Sequence, residues 1–307
     1  MKKVKLAVMV LHYNNVNDTM ECVESFEKNL DTDDYFILVF DNASPNGSGK
    51  ELAEKLKGRK NVEVYLNDKN LGFGGGNNKG IEIIRKEYDP EYLVLSNNDI
   101  VLLEKDFCKK LDEEYARCNF ALLGPMIMTA DGRCDSNPIF DTEYTRYAAE
   151  YDLKLLKRKL KMYKLHLFGS YMRLRGVAYR VFKGLRKKKP APRKDRSDGV
   201  FLKRRENIVC HGCFMVFSKV FFSKFDGLDL RSFMYAEEDI LYKHLMHENM
   251  TTVYAPEILI YHKEGRSVGN TYGKGRKKAM FLLARYIEAN QGYLGLLDEL
   301  EKTPKSE

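Results

Sequence analysis

The chain has 307 residues, 44% of them hydrophobic, and a net charge of +8, which is enough for one large α/β domain with appendages or for two modest domains. Its six Cys are scattered through the length, the usage of reduced cytosolic thiols rather than of a disulfide framework. No run reaches the ~18 apolar residues of a spanning helix, and the apolar run after Met1 enters His12-Tyr13-Asn14-Asn15 without a small-residue cleavage site, so it reads as a strand and not a signal peptide.

In chain order, Val4–Leu11 is almost continuously apolar, as in a strand buried on both faces. Asp18–Leu30 has helical spacing of Met20, Val23, Phe26 and Leu30. Tyr35–Phe40 is a second buried strand, and Ser48–Leu56 a helix with Ser48 or Asn46 as its cap. Val62–Leu66 is a third strand, Gly75–Lys86 a helix after a glycine-rich turn, and Tyr92–Ser96 a fourth strand. This alternation predicts a mostly parallel sheet that binds ligands at the carboxyl ends of its strands. Polar clusters stand at three such ends: His12-Tyr13-Asn14, Asp41-Asn42-Ala43-Ser44 and Asn97-Asn98-Asp99.

Ala121–Met128 reads as another strand, and residues 141–205 then read as a basic helical insertion. From Asp152 to Arg205 there are twenty Lys or Arg against three Asp. Leu153, Leu156, Leu160, Tyr163 and Leu167 form one apolar stripe among these cations; Tyr171, Leu174, Val177, Val181 and Leu185 form a second, and Arg186–Lys194 a loop. Such a segment implies an anionic partner: a lipid surface, a polyphosphate or a nucleic acid. After it, Ile208–Phe217 predicts a strand, Asp239–Glu248 a helix, Thr252–Tyr254 and Ile258–Tyr261 short strands, and Gly275–Leu297 a closing helix.

The polar clusters carry chemistry. A carboxylate at Asp41 can accept a hydrogen bond from a base N–H, while Asn42 and Ser44 suit ribose or phosphate. The run Asn70-Leu71-Gly72-Phe73-Gly74-Gly75-Gly76-Asn77 opens a helix, where glycines admit a close ligand and the helix N-terminus favours diphosphate. It matches neither the dinucleotide nor the Walker pattern. Asn97-Asn98-Asp99 offers hard oxygen ligands for a divalent cation shared with diphosphate. Cys210-His211-Gly212-Cys213 is a lone CxxC and reads as a buried segment. Glu237-Glu238-Asp239 stands at a helix start, where the dipole favours carboxylates.

Tyr13-Asn14, Asp41-Asn42-Ala43-Ser44, Asn70-Leu71-Gly72-Phe73-Gly74-Gly75-Gly76-Asn77 and Asn97-Asn98-Asp99 resemble, in order and spacing, the motifs of family-2 glycosyltransferases. The nearest likeness is to rhamnosyl- and galactofuranosyltransferase-like bacterial members that build cell-surface polysaccharides. Phe233-Met234-Tyr235-Ala236-Glu237-Glu238-Asp239 resembles the family's base-bearing segment, and His262 with Arg266 and Ser267 its late His-Ser element. His211-Gly212-Cys213-Phe214 is similar to the strand at its acceptor pocket. The likeness covers about 4–140 and 206–285.

The resemblance implies a GT-A fold, α/β and Rossmann-like, with a mostly parallel sheet, a basic insertion and a C-terminal helix. Residues 1–270 would be the transferase domain: 1–100 holds the nucleotide-sugar, 101–140 and 206–270 face the acceptor, and 141–205 is inserted. Residues 271–307 would be a helical extension. It implies donor binding by Tyr13, Asn14, Asp41, Asn42, Ser44, Asn70, Gly72, Phe73, Gly74, Asn77, Asn97 and Asn98. Mg²⁺ or Mn²⁺ would sit on Asp99, Asn97 and His262, with Glu238 as base and Glu237 as fallback. The implied reaction moves a sugar from a UDP- or dTDP-sugar to a lipid-linked or polysaccharide acceptor, at the cytoplasmic face of the plasma membrane, with 150–200 on anionic lipid and no nucleic acid. Two other classes stay open: a nucleic-acid- or anionic-surface-binding protein on a degenerate α/β scaffold, separable by salt-sensitive binding to DNA, and a sugar nucleotidyltransferase, whose glycine loop belongs after the first strand.

Overall fold

The computed structural model describes residues 1–139, 144–169, 171, 173, 199–263 and 275–303. Among them the strands are β1 (Lys2–His12), β2 (Tyr35–Asp41), β3 (Val62–Leu66), β4 (Tyr88–Asn97), β5 (Ile100–Leu102), β6 (Leu122–Thr129), β7 (Arg205–Glu206), β8 (Phe214–Ser218) and β9 (Thr252–His262). The helices are α1 (Val16–Asn29), α2 (Ser48–Lys55), α3 (Gly72–Glu87), α4 (Phe107–Cys118), α5 (Arg146–Lys164), α6 (Lys219–Phe222), α7 (Glu237–His247) and α8 (Gly275–Leu300).

All nine strands join one sheet in the order β3-β2-β1-β4-β8-β6-β9-β5, with β7 beside β9. β3, β2, β1 and β4 run parallel, whereas β8 enters antiparallel between β4 and β6. β6 and β9 are parallel again, and β5 returns antiparallel along β9.

β1 lies in the interior because Leu6–Val10 offers an unbroken apolar run. Its side chains divide by parity between the faces, as the pleat requires. Leu6, Val8 and Val10 join Val23 and Phe26 of α1, Leu52 of α2, Phe107 of α4 and Phe214 of β8. Ala7 and Met9 join Ile81 and Ile84 of α3, Phe221 of α6 and Leu245 of α7 on the other face. A smaller cluster of Ala149, Ile240, Tyr293 and Leu296 ties α5, α7 and α8 together.

Several expectations change. β8 begins at Phe214, not Ile208, because 208–213 is held by isolated bonds such as Ile208 N–H to Thr252 Oγ1 (2.9 Å) and His211 N–H to Asn137 Oδ1 (3.0 Å). The two short strands expected around 252–261 are one, β9, whose register against β6 shifts between Pro125 and Met126, so Pro256 is accommodated by an irregularity rather than a break. α3 starts at Gly72, three residues early, since tertiary contacts outweigh the glycines' poor helix propensity. Of the two side chains expected to cap α2, Asn46 Oδ1 accepts the Ser48 N–H at 3.2 Å, whereas Ser48 Oγ bonds His12 and Gly47 occupies the cap position in a left-handed conformation. β5 and α4 were not anticipated. The second stripe of the insertion, apart from Tyr171 and Arg173, and the Arg186–Lys194 loop lie outside the described residues.

Phe26 is fully buried and stacks with Phe214 at 6.3 Å between ring centroids, so it couples α1 to β8. Phe26→Ala is expected to lower unfolding free energy by about 3–5 kcal/mol, read from urea denaturation.

Candidate active site

Three strand ends meet at one sheet edge. Leu11 pairs in register with Asn97, and His12 with Asp41. His12 is fully buried, with Nδ1 2.6 Å from Thr19 Oγ1 and Nε2 2.9 Å from Ser48 Oγ. Burial pushes its pKa down to about 4, against the pull of Asp41's charge. It is therefore a neutral brace for the turn that follows β1. In that turn Tyr13 is half-buried, and Asn14 has a φ of 69° and donates its N–H to Ser44 Oγ at 2.9 Å. Ser44 N–H in turn donates to Asp41 Oδ1 at 3.2 Å. Asp41 itself is only 5% exposed.

Asn42 clamps the glycine-rich run. Its Oδ1 accepts from Leu71 N–H and its Nδ2 donates to Gly72 O, both at 2.9 Å. Asn70 Oδ1 accepts Gly72 N–H at 2.8 Å. Gly72 has a φ of +75°, and a Cβ there would lie 2.5 Å from Phe233 O. Only glycine fits this wedge, which sets the start of α3 against the segment leading into α7. Gly74 lies within the same first turn, where its Cβ position abuts Leu230. Asn77 Nδ2 bonds Phe73 O within α3, and Asn98 Nδ2 bonds Thr19 Oγ1 at 2.9 Å. The amides of Asn42, Asn77 and Asn98 are thus engaged within the protein and shape the edge.

The strand-four end reaches the base segment through backbone. Asn97 N–H donates to Cys213 O at 2.9 Å, and Gly212 N–H donates to Glu238 Oε1 at 3.1 Å. Asp99 Oδ1 stands 3.3 Å from His262 Nε2, and the His262 ring lies 6.1 Å from that of His211. The Cys213 thiol is pushed far up by burial and then by the charges of Asp99 and Glu238, so both carboxylates face one buried sulfur.

Glu237, Glu238 and Asp239 form the first turn of α7, where the helix dipole favours negative charge. Burial and the charge of Glu238 lift Glu237 to about 7, and the same two causes lift Asp239 to about 7. Glu237 Oε1 is buried with no hydrogen-bond partner among the described residues, consistent with the lift in its pKa. Just ahead, Tyr235 and Ala236 hold φ of 74° and 62°, two strained residues in succession that aim the acidic turn.

Glu238, Gly212, Asn97 and Phe73 line one cavity of about 920 Å³. Its opposite wall comes from α5 and α8, with Asp152, Leu155, Tyr286 and Asn290. No sequence motif pointed to that wall. Asp99 faces a neighbouring depression with Asp18, Glu21 and Lys263, and among the described residues no three His, Cys, Asp or Glu gather around one point. The donor set is therefore a carboxylate and an imidazole in contact, with Asn97 bordering the cavity. That set fits a cation whose shell is completed by substrate oxygens and water. Arg266 and Ser267 lie outside the described residues.

A sequence model described as Glycosyl transferase family 2 matches residues 7–225. An uncharacterized glycosyltransferase of Methanocaldococcus jannaschii is 31% identical over 111 residues, which span 35% of this chain and 37% of that protein. The fold is similar to that of S. aureus TarS 1–349, with a TM-score of 0.51 and 14% identity over 84% of this chain and 60% of that one. The complex of the same TarS fragment with UDP-GlcNAc aligns over 45% of this chain and 38% of that one, at 20% identity and a TM-score of 0.37.

The lifted carboxyls make stability depend on pH. Glu237 and Asp239 hold protons more tightly folded than unfolded, so their contribution is complete below about pH 4 and is lost as pH rises through about 7. Between pH 5.5 and 7.5, Glu237→Gln is expected to lose less stability than the wild type, compared by urea midpoints.

Proposed function

Since the chain belongs to glycosyltransferase family 2, we propose that it is an inverting enzyme moving a sugar from a UDP- or dTDP-sugar to a hydroxyl of a lipid-linked or polysaccharide acceptor in cell-surface glycan synthesis. The observation that carries this reading is the placement of Glu238, held by the Gly212 amide inside a large cavity that also reaches the strand-four end at Asn97. Burial and neighbouring charge lift Glu237 and Asp239 to about 7, so the two carboxyls flanking Glu238 are only partly ionised near neutral pH.

In the proposed step the acceptor oxygen attacks the anomeric carbon from the face opposite the nucleoside diphosphate. Its proton passes to Glu238, the new C–O bond forms, and the bond to the diphosphate breaks with both electrons leaving on that oxygen. The sugar configuration inverts, and the nucleoside diphosphate departs. The donor's nucleotide lies along the edge built by Tyr13, Asn14, Asp41 and Ser44, with its diphosphate toward the glycine-rich start of α3, whose N-terminus favours anions. Asp99 and His262 would hold Mg²⁺ or Mn²⁺, which offsets the charge developing on the leaving diphosphate.

The reading also places the protein at the inner face of the plasma membrane. No helix among the described residues is long and apolar enough to cross a bilayer. α5 exposes Lys154, Lys157 and Lys161 together with Tyr147 and Tyr151, a mixture suited to an anionic interface.

Two measurements test these points. Incubation with Mn²⁺ and a panel of UDP-, dTDP- and GDP-sugars, scored by nucleoside diphosphate release, is expected to identify a donor. Glu238→Gln should then keep donor affinity while losing transfer by about 100-fold or more, and Asp99→Ala should lose the cation-dependent part of turnover; unchanged rates in both would remove the assigned site. Separately, charge reversal of Lys154, Lys157 and Lys161 to Glu should abolish cosedimentation with phosphatidylglycerol vesicles at low salt while leaving the protein folded.

A further inference from the structure

The wall opposite Glu238 comes from α5 and α8, and it has the composition of a carbohydrate site. Tyr144 OH lies 2.9 Å from Asp152 Oδ2 and 3.0 Å from Asn290 Oδ1, so one phenol proton is shared between a carboxylate of α5 and an amide oxygen of α8. One N–H of that amide donates to Tyr286 O at 3.0 Å, and among the described residues its other N–H is left for a ligand. Burial and the bond to Asp152 push the Tyr144 phenol up, which keeps it a donor. The second oxygen of Asp152 takes no hydrogen bond among the described residues, and Asp152 and Asn290 both line the cavity. A carboxylate oxygen beside an amide is the pairing that grips adjacent hydroxyls of a sugar ring. Beside them Tyr286 stacks on Tyr235 with ring centroids 4.0 Å apart and planes 13° apart. Tyr286 stays 40% exposed, with area left for a sugar face.

The same wall has an apolar exit. Leu155 lines the cavity at 44% exposure, and Tyr151 and Tyr147 follow at 55% and 79%. These residues are spaced by four along α5 and so share a face. A soluble surface has no need of such a row, and it begins where the cavity ends. Lys154 and Arg158 flank it, exposed, as a phosphate-bearing lipid surface would require.

We propose that α5 and α8 form the acceptor subsite: Asp152 and Asn290 bind hydroxyls of the acceptor sugar, Tyr286 stacks on its ring, and the Leu155–Tyr151–Tyr147 row receives an apolar aglycone. The acceptor class is thus a lipid-linked sugar rather than a free polysaccharide. This rests on the transferase reading above, since the subsite is placed by the cavity it shares with Glu238.

The test uses the full chain with whichever nucleotide-sugar it binds by calorimetry, and methyl and octyl glycosides of glucose, galactose, mannose, rhamnose and N-acetylglucosamine as acceptor probes. The expected result is that at least one octyl glycoside raises nucleoside diphosphate release above the acceptor-free rate, with a KM at least about tenfold lower than its methyl counterpart. Asp152→Asn and Tyr286→Ala should each raise that KM about tenfold or more, with donor affinity retained as the sign of an intact fold. Tyr151→Ser with Leu155→Ser should bring the octyl KM toward the methyl value and leave the methyl KM in place. Equal use of methyl and octyl probes overturns the lipid assignment in favour of a polysaccharide. Stimulation by no glycoside, or KM values indifferent to Asp152 and Tyr286, in a protein that binds donor, overturns the subsite. Failure to bind any nucleotide-sugar is a different result and removes the transferase reading itself.

Discussion

A single hydrogen bond from the Gly212 amide to the Glu238 carboxylate joins the two halves of the candidate site. A Cβ at position 212 would lie 2.8 Å from the same Glu238 oxygen, so a side chain there would push the carboxylate away from the position this bond defines. The donor of that bond is anchored in turn, since Cys213 O accepts the Asn97 N–H at the end of β4. The position of the proposed base is therefore referred directly to the strand edge where a nucleotide-sugar is proposed to bind. Geometry of this kind keeps a reacting oxygen and a proton acceptor in line without motion at the moment of reaction.

The acidic turn that carries Glu238 illustrates how burial sorts chemically similar groups. Three carboxyls stand in succession; Glu237 is buried and Asp239 half-buried, and desolvation together with the charge of Glu238 lifts both to about 7. Two strained residues, Tyr235 and Ala236, precede them. That strain is sustained by Ser232, whose hydroxyl donates to Tyr235 O at 2.8 Å, and by Phe233 O seated against Gly72. The glycine-rich run thus shapes the base segment as well as the donor edge.

Much of the parallel half was legible because its residues obey local rules. β3 matches its expected bounds, and the buried runs of β1 and β2 could be read directly from continuous apolarity. Polar residues at the ends of those strands announced the edge. What the sequence could not show was which polar groups face a ligand. Asn77 bonds Phe73 O one helical turn back, and Asn42 and Asn98 fill hydrogen bonds with partners 30 and 79 residues away, which no local pattern could announce. The antiparallel half was harder: β5 has three residues, and 208–213 is buried without a ladder, so periodicity had little to act on. The α5–α8 wall was invisible because Asp152, Tyr286 and Asn290 lie in two helices with no motif, brought together by the Ala149–Tyr293–Leu296 cluster.

α5 lies between β6 and β8 in sequence, yet contributes no strand to the sheet and none of its nucleotide-facing edge. It meets the remainder mainly through α8 and one small apolar cluster. A relative with an unrelated segment in place of Arg146–Lys164 would retain the same sheet and the same Gly212–Glu238 bond while presenting a new surface to the cavity. If α5 receives the acceptor as proposed, divergence in what receives the sugar is free of divergence in what delivers it, and one scaffold can diversify its products by exchanging a loop-borne helix.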